Sequence, residues 1–294
     1  MLIVSVVVAF IILMIGSMTD LKKREVHDYV SYGLIFIAFG IAILYSIIYW
    51  DYQFIAQAAM GFVIGILIAY AMFYLGQWGG GDSKLIMGLG AVIGFNAFSI
   101  FGENNFWLLM LLVNIIFVGA IYGLVWSIYL GFKHRKEFVK TLKIWSQKKE
   151  ILMARRGLLA FVIIFALLIL FFIPQELKLV FLSFLAILFI VFYLWLFIKI
   201  IEDSCLIRSI PISKLTEGDW IYKDVFIGKK YVTGPKDLGI SRQQIERLIR
   251  YKKIRKVIVK EGIPFIPAFL IAFILTVMMS YMNVAVLTIF SRII

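Results

Sequence analysis

The chain has 294 residues, of which 63% are hydrophobic and only 16% are charged, and its mean hydropathy is +1.00. Several apolar runs exceed the roughly 18 residues needed to cross a bilayer, which excludes an ordinary water-soluble domain. A single cysteine, Cys205, excludes an internal disulfide and a cysteine-based metal cage, and the net charge of +13 is typical of membrane proteins that concentrate basic residues on one side.

The apolar runs predict an all-α polytopic membrane protein, a bundle of about eight transmembrane helices with a small cytoplasmic α+β module. The first run lacks the basic n-region and small-residue cleavage site of a secretory signal peptide, so we expect it to be retained as a span. The predicted spans are Leu2–Met18, Tyr29–Tyr49, Phe54–Gly76, Lys84–Phe101, Phe106–Gly131, Gly157–Ile173, Leu179–Ile201 and Ile263–Phe290.

The distribution of lysine and arginine predicts the orientation. Alternate connections, residues 19–28, 77–84, 132–156 and 202–262, hold 3, 1, 9 and 14 of the 30 basic residues. This bias predicts that all four face the cytoplasm, in a multi-pass protein of the plasma membrane with both termini outside. The opposite connections are only a few residues long, so we expect the activity to lie inside the bundle or at its cytoplasmic face.

The predicted spans and the connections between them divide the chain into five regions. They are the transmembrane helices of 1–131, which carry the candidate catalytic residues, a basic loop at 132–156, two further spans in 157–201, the module at 202–262 and a last helix in 263–294. The basic loop mixes aromatic and cationic residues, which predicts an amphipathic helix on anionic lipid; a solvated linker is the alternative. In the module, short strands are expected at Ser209–Leu215, Trp220–Ile227 and Arg255–Lys260, and Ser241 with Gln244 forms a capping box that starts a helix.

Two aspartates lie where predicted spans meet the cytoplasm. Asp20 follows the first span and Asp82 precedes the fourth. One helical hairpin separates them, and a hairpin returns the chain to its starting side, so both carboxylates should reach the same end of the bundle. Two neighbouring carboxylates do not ionise alike, because a second charge nearby is disfavoured. Such a pair provides a general base and a general acid that can activate water without a metal or cofactor.

Three glycines, Gly79, Gly80 and Gly81, come directly before Asp82. Consecutive glycines weaken a helix but allow close backbone approach, so we expect a flexible turn against which an extended substrate can lie. The alternative is a plain interhelical turn in which Asp82 acts as an N-cap.

These residues resemble the motifs of a known family. Gly79-Gly80-Gly81-Asp82 is similar to the hallmark of the GxGD membrane aspartyl proteases, and Asp82-Ser83-Lys84-Leu85 to the GGGDxKL continuation of type IV prepilin and archaeal preflagellin peptidases. The stretch Asp20–Asp28 resembles their D-x-[RK]-x-R-x-[IV]-x-[DN] motif, and Ile263–Phe269 their PFxP-type entry to the last helix. The resemblance is best over residues 1–130 and at 263–290, and the archaeal members are the nearer fit.

The resemblance implies an endopeptidase that removes the short basic leader of prepilin-like or pre-archaellin-like proteins at the cytoplasmic face, with Asp20 and Asp82 as the catalytic pair. For the module at 202–262 we expect docking of the substrate or of the pilus or archaellum secretion machinery. Many bacterial relatives also methylate the new N-terminus and carry paired CxxC motifs. This sequence lacks those cysteines, so we expect no methyltransferase activity and no metal, and we expect no nucleic-acid partner.

Other polar residues near the aspartates are candidates for substrate binding or support. Glu25 and Asp28 could attract a basic leader, or could simply neutralise the neighbouring cations. Lys84 could stabilise the charged form of Asp82 or mark the membrane boundary, and Pro264 and Pro267 could shape the site or merely start the last helix.

Three other functions fit parts of the sequence. A proton-coupled transporter also uses acids at helix ends and glycine-broken spans, although no acid here lies near the centre of a predicted span. The chain could instead be a non-catalytic scaffold that binds a partner through residues 202–262. A GxGD protease that cuts other transmembrane substrates would keep the chemistry and change the target.

Overall fold

The computed structural model describes residues 3–24, 26–97, 103–251 and 254–293. Over these residues the chain forms ten α-helices and five short strands. All five strands lie between α8 and α10. The helices are α1 Ile3–Lys23, α2 Asp28–Ile48, α3 Gln53–Tyr74, α4 Gly80–Ile93, α5 Glu103–Lys133, α6 Arg135–Gln147, α7 Lys149–Phe172, α8 Gln175–Ile201, α9 Arg242–Arg250 and α10 Ile266–Ile293, and the strands are β1 Ile207–Pro211, β2 Trp220–Ile221, β3 Val225–Ile227, β4 Lys230–Thr233 and β5 Lys256–Lys260.

Six of the helices in the described ranges are long and apolar enough to cross a membrane: α1, α2, α3, α5, α7 and α8. The predicted class, a polytopic helical membrane protein with a small α+β module, is therefore confirmed. The helix ends differ from the predicted span ends by up to eight residues, since α7 already starts at Lys149 rather than at Gly157. Basic residues at a span end extend the helix into the polar layer without breaking it.

The fourth predicted span, Lys84–Phe101, is wrong in its bounds. Helix α4 starts at Gly80 and ends at Ile93, 14 residues in all, which at 1.5 Å per residue is only about 21 Å and shorter than a bilayer core. Gly94 ends the helix with a positive φ of 75°, and the next residue, Phe95, donates its N–H to the carbonyl oxygen of Gln57. The end of α4 thus reaches the first turns of α3, so the chain still returns to the level at which α3 begins.

Helices α3 and α4 touch backbone to backbone. A Cβ on Gly61 would lie 2.1 Å from the carbonyl oxygen of Gly90, and a Cβ on Gly65 would lie 2.8 Å from the Cα of Met87. Small residues every four positions make such contact between membrane helices possible. On its other side α4 packs its Gly88 against Leu34 of α2, so the short helix is enclosed and nearly all of its residues after Ser83 are buried.

Helix α1 buries one stripe, which includes Ala9, Leu13, Gly16 and Asp20. The three- and four-residue spacing keeps these positions on one face of the helix. Ala9 and Leu13 join the main hydrophobic core, which also takes in residues of α2, α3, α4, α5 and α10. The lipid-facing residues of the same helices are large and apolar, as expected for a bundle surrounded by hydrocarbon.

Residues 202–262 form the predicted module, with a core of their own. The strands β1, β5 and β2 make an antiparallel three-stranded sheet, and β3 and β4 form a separate hairpin. Helix α9 starts at the predicted capping box, where the side chain of Ser241 accepts the N–H of Gln244. Buried Ile, Leu and Val side chains from the sheet and α9 pack together.

Two predictions for this module need correction. The strand expected at Ser209–Leu215 ends at Pro211 and continues as a 3₁₀ turn over Ile212–Lys214. The strand expected at Trp220–Ile227 is two strands, β2 and β3, and the sequence analysis gave no strand at β4. A tight turn at Gly228, whose φ is 64°, reverses the chain between β3 and β4 and provides β3 with its own partner.

Candidate active site

Asp20 lies on the last turn of α1 and is 94% buried, with a relative exposure of 6%. Its Oδ2 accepts the backbone N–H of Ile266 at 2.9 Å, which is the first residue of α10. The start of a helix carries unpaired N–H groups and a partial positive charge, and both stabilise a carboxylate. Helix α1 ends soon after Asp20, because Arg24 adopts a positive φ of 57°.

Asp82 lies in the first turn of α4, three residues after the N-cap Gly79. Its Oδ2 accepts the N–H of Gly79 at 2.9 Å, so the carboxylate caps its own helix. The sequence analysis expected a flexible turn at the three glycines, but Gly80 and Gly81 are helical. The alternative that made Asp82 the N-cap is also wrong, since the cap position belongs to Gly79. Because Gly79 has no side chain, the Asp82 carboxylate can lie beside the Gly79 backbone. A Cβ on Gly79 would be 3.5 Å from Oδ2 of Asp82.

The two aspartates lie at the same end of the bundle, as the hairpin argument predicts. One turn before Asp20, Gly16 faces Leu85, which is one turn after Asp82; a Cβ on Gly16 would be 3.9 Å from a Leu85 methyl group. In the first turn of α4, a Cβ on Gly81 would be 3.1 Å from the Cβ of Val26, which lies in the loop after α1. These contacts bring the end of α1 and the start of α4 together at one end of the bundle.

The start of α10 contacts both aspartate-bearing segments. Its Ile266 holds Asp20, and its Phe269 packs edge-on against Trp78, with ring centroids 5.2 Å apart. Pro264 is buried just before the helix, and Pro267 lies in its first turn, where proline is tolerated. The sequence analysis treated these prolines only as supports and missed the Ile266 N–H as a partner of Asp20. Similarity of Ile263–Phe269 to the PFxP-type motif was the one signal that pointed to this segment.

The remaining candidate residues are placed differently. The ammonium group of Lys84 binds the carboxylate of Asp28 at 2.5 Å and lies 4.8 Å from the centre of the Tyr32 ring, so this pair ties α4 to α2. Lys84 therefore pairs with Asp28 rather than with Asp82, and Asp28 pairs with Lys84 rather than with the preceding cations. Glu25 lies outside the described residues.

The module of residues 202–262 contacts both aspartate-bearing loops. The Trp220 ring lies over Gly76, where a Cβ would be 3.0 Å from the nearest ring atom, and Gly76 precedes the glycine run with a φ of 67°. The carboxylate of Glu261, at the end of the module, pairs with Arg24, four residues after Asp20, and also lies 3.7 Å from Arg208. Neither contact was expected from the sequence.

Comparisons with known proteins agree with the motifs. Residues 7–125, which include both aspartates, match the model of the Type IV leader peptidase family. Similar proteins include the preflagellin peptidase of Methanococcus voltae, 34% identical over 140 residues that cover 45% of this chain and 58% of that protein. The preflagellin peptidase of Methanocaldococcus jannaschii is 40% identical over 90 residues, 31% of this chain and 38% of that protein, and that of Methanococcus maripaludis is 40% identical over 81 residues, 28% and 35%.

The matched segments therefore span less than two thirds of these relatives' own lengths. The resemblance to the leader peptidase family is confirmed for the N-terminal part of the chain, and the archaeal members are confirmed as similar proteins.

Proposed function

We propose that this chain, whose residues 7–125 match the model of the Type IV leader peptidase family, is an aspartic endopeptidase. Its substrates would be preflagellin-like or prepilin-like proteins, from which it removes a short basic leader in front of a hydrophobic helix. The observation that carries this proposal is the meeting of the two aspartate-bearing segments at one end of the bundle, with Val26 against Gly81.

The chemistry would follow from the coupling of the two carboxylates. In a pair that shares one proton, the charged carboxylate takes a proton from a water molecule while the neutral one donates its proton to the oxygen of the scissile carbonyl group. The resulting gem-diol collapses when the carboxyl group that is now protonated gives its proton to the leaving nitrogen and the charged carboxylate takes back a proton from a gem-diol hydroxyl group, so that the C–N bond breaks and the pair again holds one proton. The N–H groups of Ile266 and Gly79 each bond the Oδ2 atom of one aspartate, which would orient the two carboxylates for this exchange.

The position of the site suits a leader peptidase. Both aspartates lie at helix ends, and the basic connections found by the sequence analysis lie on this side, which supports a cytoplasmic active site. A substrate helix in the membrane would present its leader at that depth. Helix α6 is amphipathic and carries basic residues, so we propose that it lies on anionic lipid beside the site. We expect no methylation of the product, because the sequence has no CxxC pair.

The decisive experiment compares Asp20→Asn and Asp82→Asn with the wild-type protein, purified in lipid nanodiscs and mixed with a preflagellin-like substrate. Each variant should lose about 10²- to 10⁴-fold in cleavage rate, the usual contribution of a general acid or base. Asp51→Asn is the matched control, because this aspartate lies in the loop between α2 and α3 at the other end of the bundle. Cleavage at the wild-type rate by either site variant would refute the pair.

A second substrate separates the leader peptidase from a protease that cuts transmembrane segments. A version without its basic leader should not be cut by the wild-type protein. If it is cut within its hydrophobic helix, the substrate class proposed here is wrong even though the aspartates act as described.

A further inference from the structure

Tyr122 of α5 has a buried hydroxyl group without a partner. Its oxygen is shielded from solvent and makes no hydrogen bond to any residue in the described ranges. Buried hydroxyl groups are almost always paired, because leaving one unpaired destabilises the folded protein. An exception calls for an explanation in terms of what the group binds.

The location of Tyr122 is set by its own helix. Gly119, one turn earlier, lies directly against the Phe265 ring, where a Cβ would be 2.4 Å from a ring carbon. Phe265 immediately precedes Ile266, whose N–H holds Asp20. A residue three positions after Gly119 projects from the same side of the helix. Tyr122 therefore lies on the side of α5 that faces the start of α10, the segment that holds Asp20.

The ring of Tyr122 is fixed by packing rather than by its hydroxyl group. It stacks on Trp126, one turn further along α5, with centroids 5.9 Å apart and planes 25° apart, and it borders the main hydrophobic core. The hydroxyl group is thus held in one place, near the segment that holds Asp20, without a hydrogen bond of its own. Preorganised donors of this kind are typical of groups whose partner arrives with the substrate.

Two serines beside the aspartates, Ser17 and Ser83, also have buried hydroxyl groups without a partner in the described structure. A serine in a helix can turn its hydroxyl group to the carbonyl group one turn earlier at little cost. The rigid ring of a tyrosine offers no such local partner, so Tyr122 is the stronger candidate.

We infer that Tyr122 is a third residue of the catalytic centre, which donates a hydrogen bond from its hydroxyl group to the carbonyl oxygen of the substrate's scissile peptide bond. This inference rests on the proposed peptidase function. Negative charge grows on that oxygen as water attacks, so the bond strengthens in the transition state and mainly raises kcat. The backbone donors that lie nearest, Ile266 N–H and Gly79 N–H, are already bonded to the aspartates.

The test is Tyr122→Phe, with Tyr129→Phe as the matched control. Tyr129 lies two turns further along the same helix, its ring also contacts Trp126, and its side chain is 49% exposed. Tyr122→Phe should lower kcat about 100-fold, as the loss of one transition-state donor does, with little change in KM. Its Tm should stay the same or rise, because the variant removes an unpaired buried hydroxyl group. Tyr129→Phe should change none of these quantities.

Wild-type kcat in Tyr122→Phe would overturn the inference, and so would a fall in Tm that accompanies the fall in kcat, since that would make the hydroxyl group structural. A binding measurement does not depend on turnover: a substrate peptide with a hydroxyl-bearing tetrahedral group in place of the scissile carbonyl should bind more weakly to Tyr122→Phe than to Tyr129→Phe. Equal affinities would also overturn it. Wild-type protein that cuts no substrate counts against the proposed function instead.

Discussion

Lys84 shows how close a residue can be to Asp82 in sequence without acting on it. Its ammonium group binds Asp28 and lies over Tyr32, on the face of α4 that turns to α2. The pair is partly exposed, with side-chain exposures of 28% for the lysine and 71% for the aspartate. It joins two helices but contributes little charge to the catalytic side.

Lys84→Met is therefore expected to lower stability by about 0.2–1 kcal/mol, as for other exposed ion pairs, and to leave kcat within a few-fold of the wild-type value. Thermal unfolding of Lys84→Met, Asp28→Asn and the double variant would give the coupling energy. A loss of kcat as large as that of Asp82→Asn would show that the lysine does act on the carboxylate.

The two aspartates themselves could be predicted from the sequence, because a hairpin between them sets their common level whatever the packing. Their hydrogen-bond partners could not be predicted in the same way. Asp20 and Ile266 are 246 positions apart, and nothing in the pattern of either segment states that α10 starts against α1. Tyr122 was missed because a tyrosine in an apolar helix has no distinctive spacing.

At the scale of elements, the contact between α3 and α4 positions Asp82. The glycines of α3 let the backbone of α4 approach to a distance that no side chain would allow, and α4 carries the aspartate in its first turn. An added methyl group must move one helix relative to the other, because the atoms it meets belong to the backbone and cannot rotate away.

Gly61→Ala should therefore destabilise the protein by about 1–3 kcal/mol, the usual cost of overpacking, and lower the cleavage rate as α4 shifts. Gly40→Ala is the control: Gly40 lies in α2 with no atom within 4 Å of an added Cβ, and alanine favours a helix over glycine by about 1 kcal/mol. Tm and cleavage rate measured together would decide. Equal behaviour of the two variants would mean that the α3–α4 contact does not position the site.

Most long helices could be predicted from hydrophobic runs, since length and composition alone decide whether a segment can cross a bilayer. The shortness of α4 could not, because the predicted span runs on through residues 94–97 whereas the chain leaves the helix at Gly94. Tertiary bonds explain the difference: Asn105 of α5 accepts the N–H of Asn96 at 2.7 Å. Such bonds are invisible to a hydropathy window.

At the scale of the whole molecule, the module of residues 202–262 contacts the end of the bundle that holds Asp20 and Asp82. Composition predicted a small α+β unit, and its capping box and last strand were correctly placed. The docking position of this unit could not be predicted, because Trp220 and Gly76 are far apart in sequence and neither belongs to a recognisable motif. The module reaches both loops that carry the aspartates, through Trp220 on one side and Glu261 on the other.

This arrangement predicts that Trp220 acts on catalysis through the position of the loop before Asp82. Trp220→Ala removes the ring that lies over Gly76 and frees that loop, and misplacement of a catalytic group by about 1 Å can cost about 100-fold in rate. We expect kcat/KM to fall about 10- to 100-fold, while the module keeps its fold because its own core does not include Trp220. Trp220→Phe should recover part of the rate.

Phe226→Ala is the control for this variant, because Phe226 is a half-exposed aromatic residue of the same module, in the hairpin of β3 and β4. Limited proteolysis would report the fold of the module in each variant, alongside the cleavage rate. Full activity of Trp220→Ala with an intact module would show that the module contacts the loop without positioning Asp82. A loss of activity shared by both variants would point to the module as a whole rather than to the contact at Gly76.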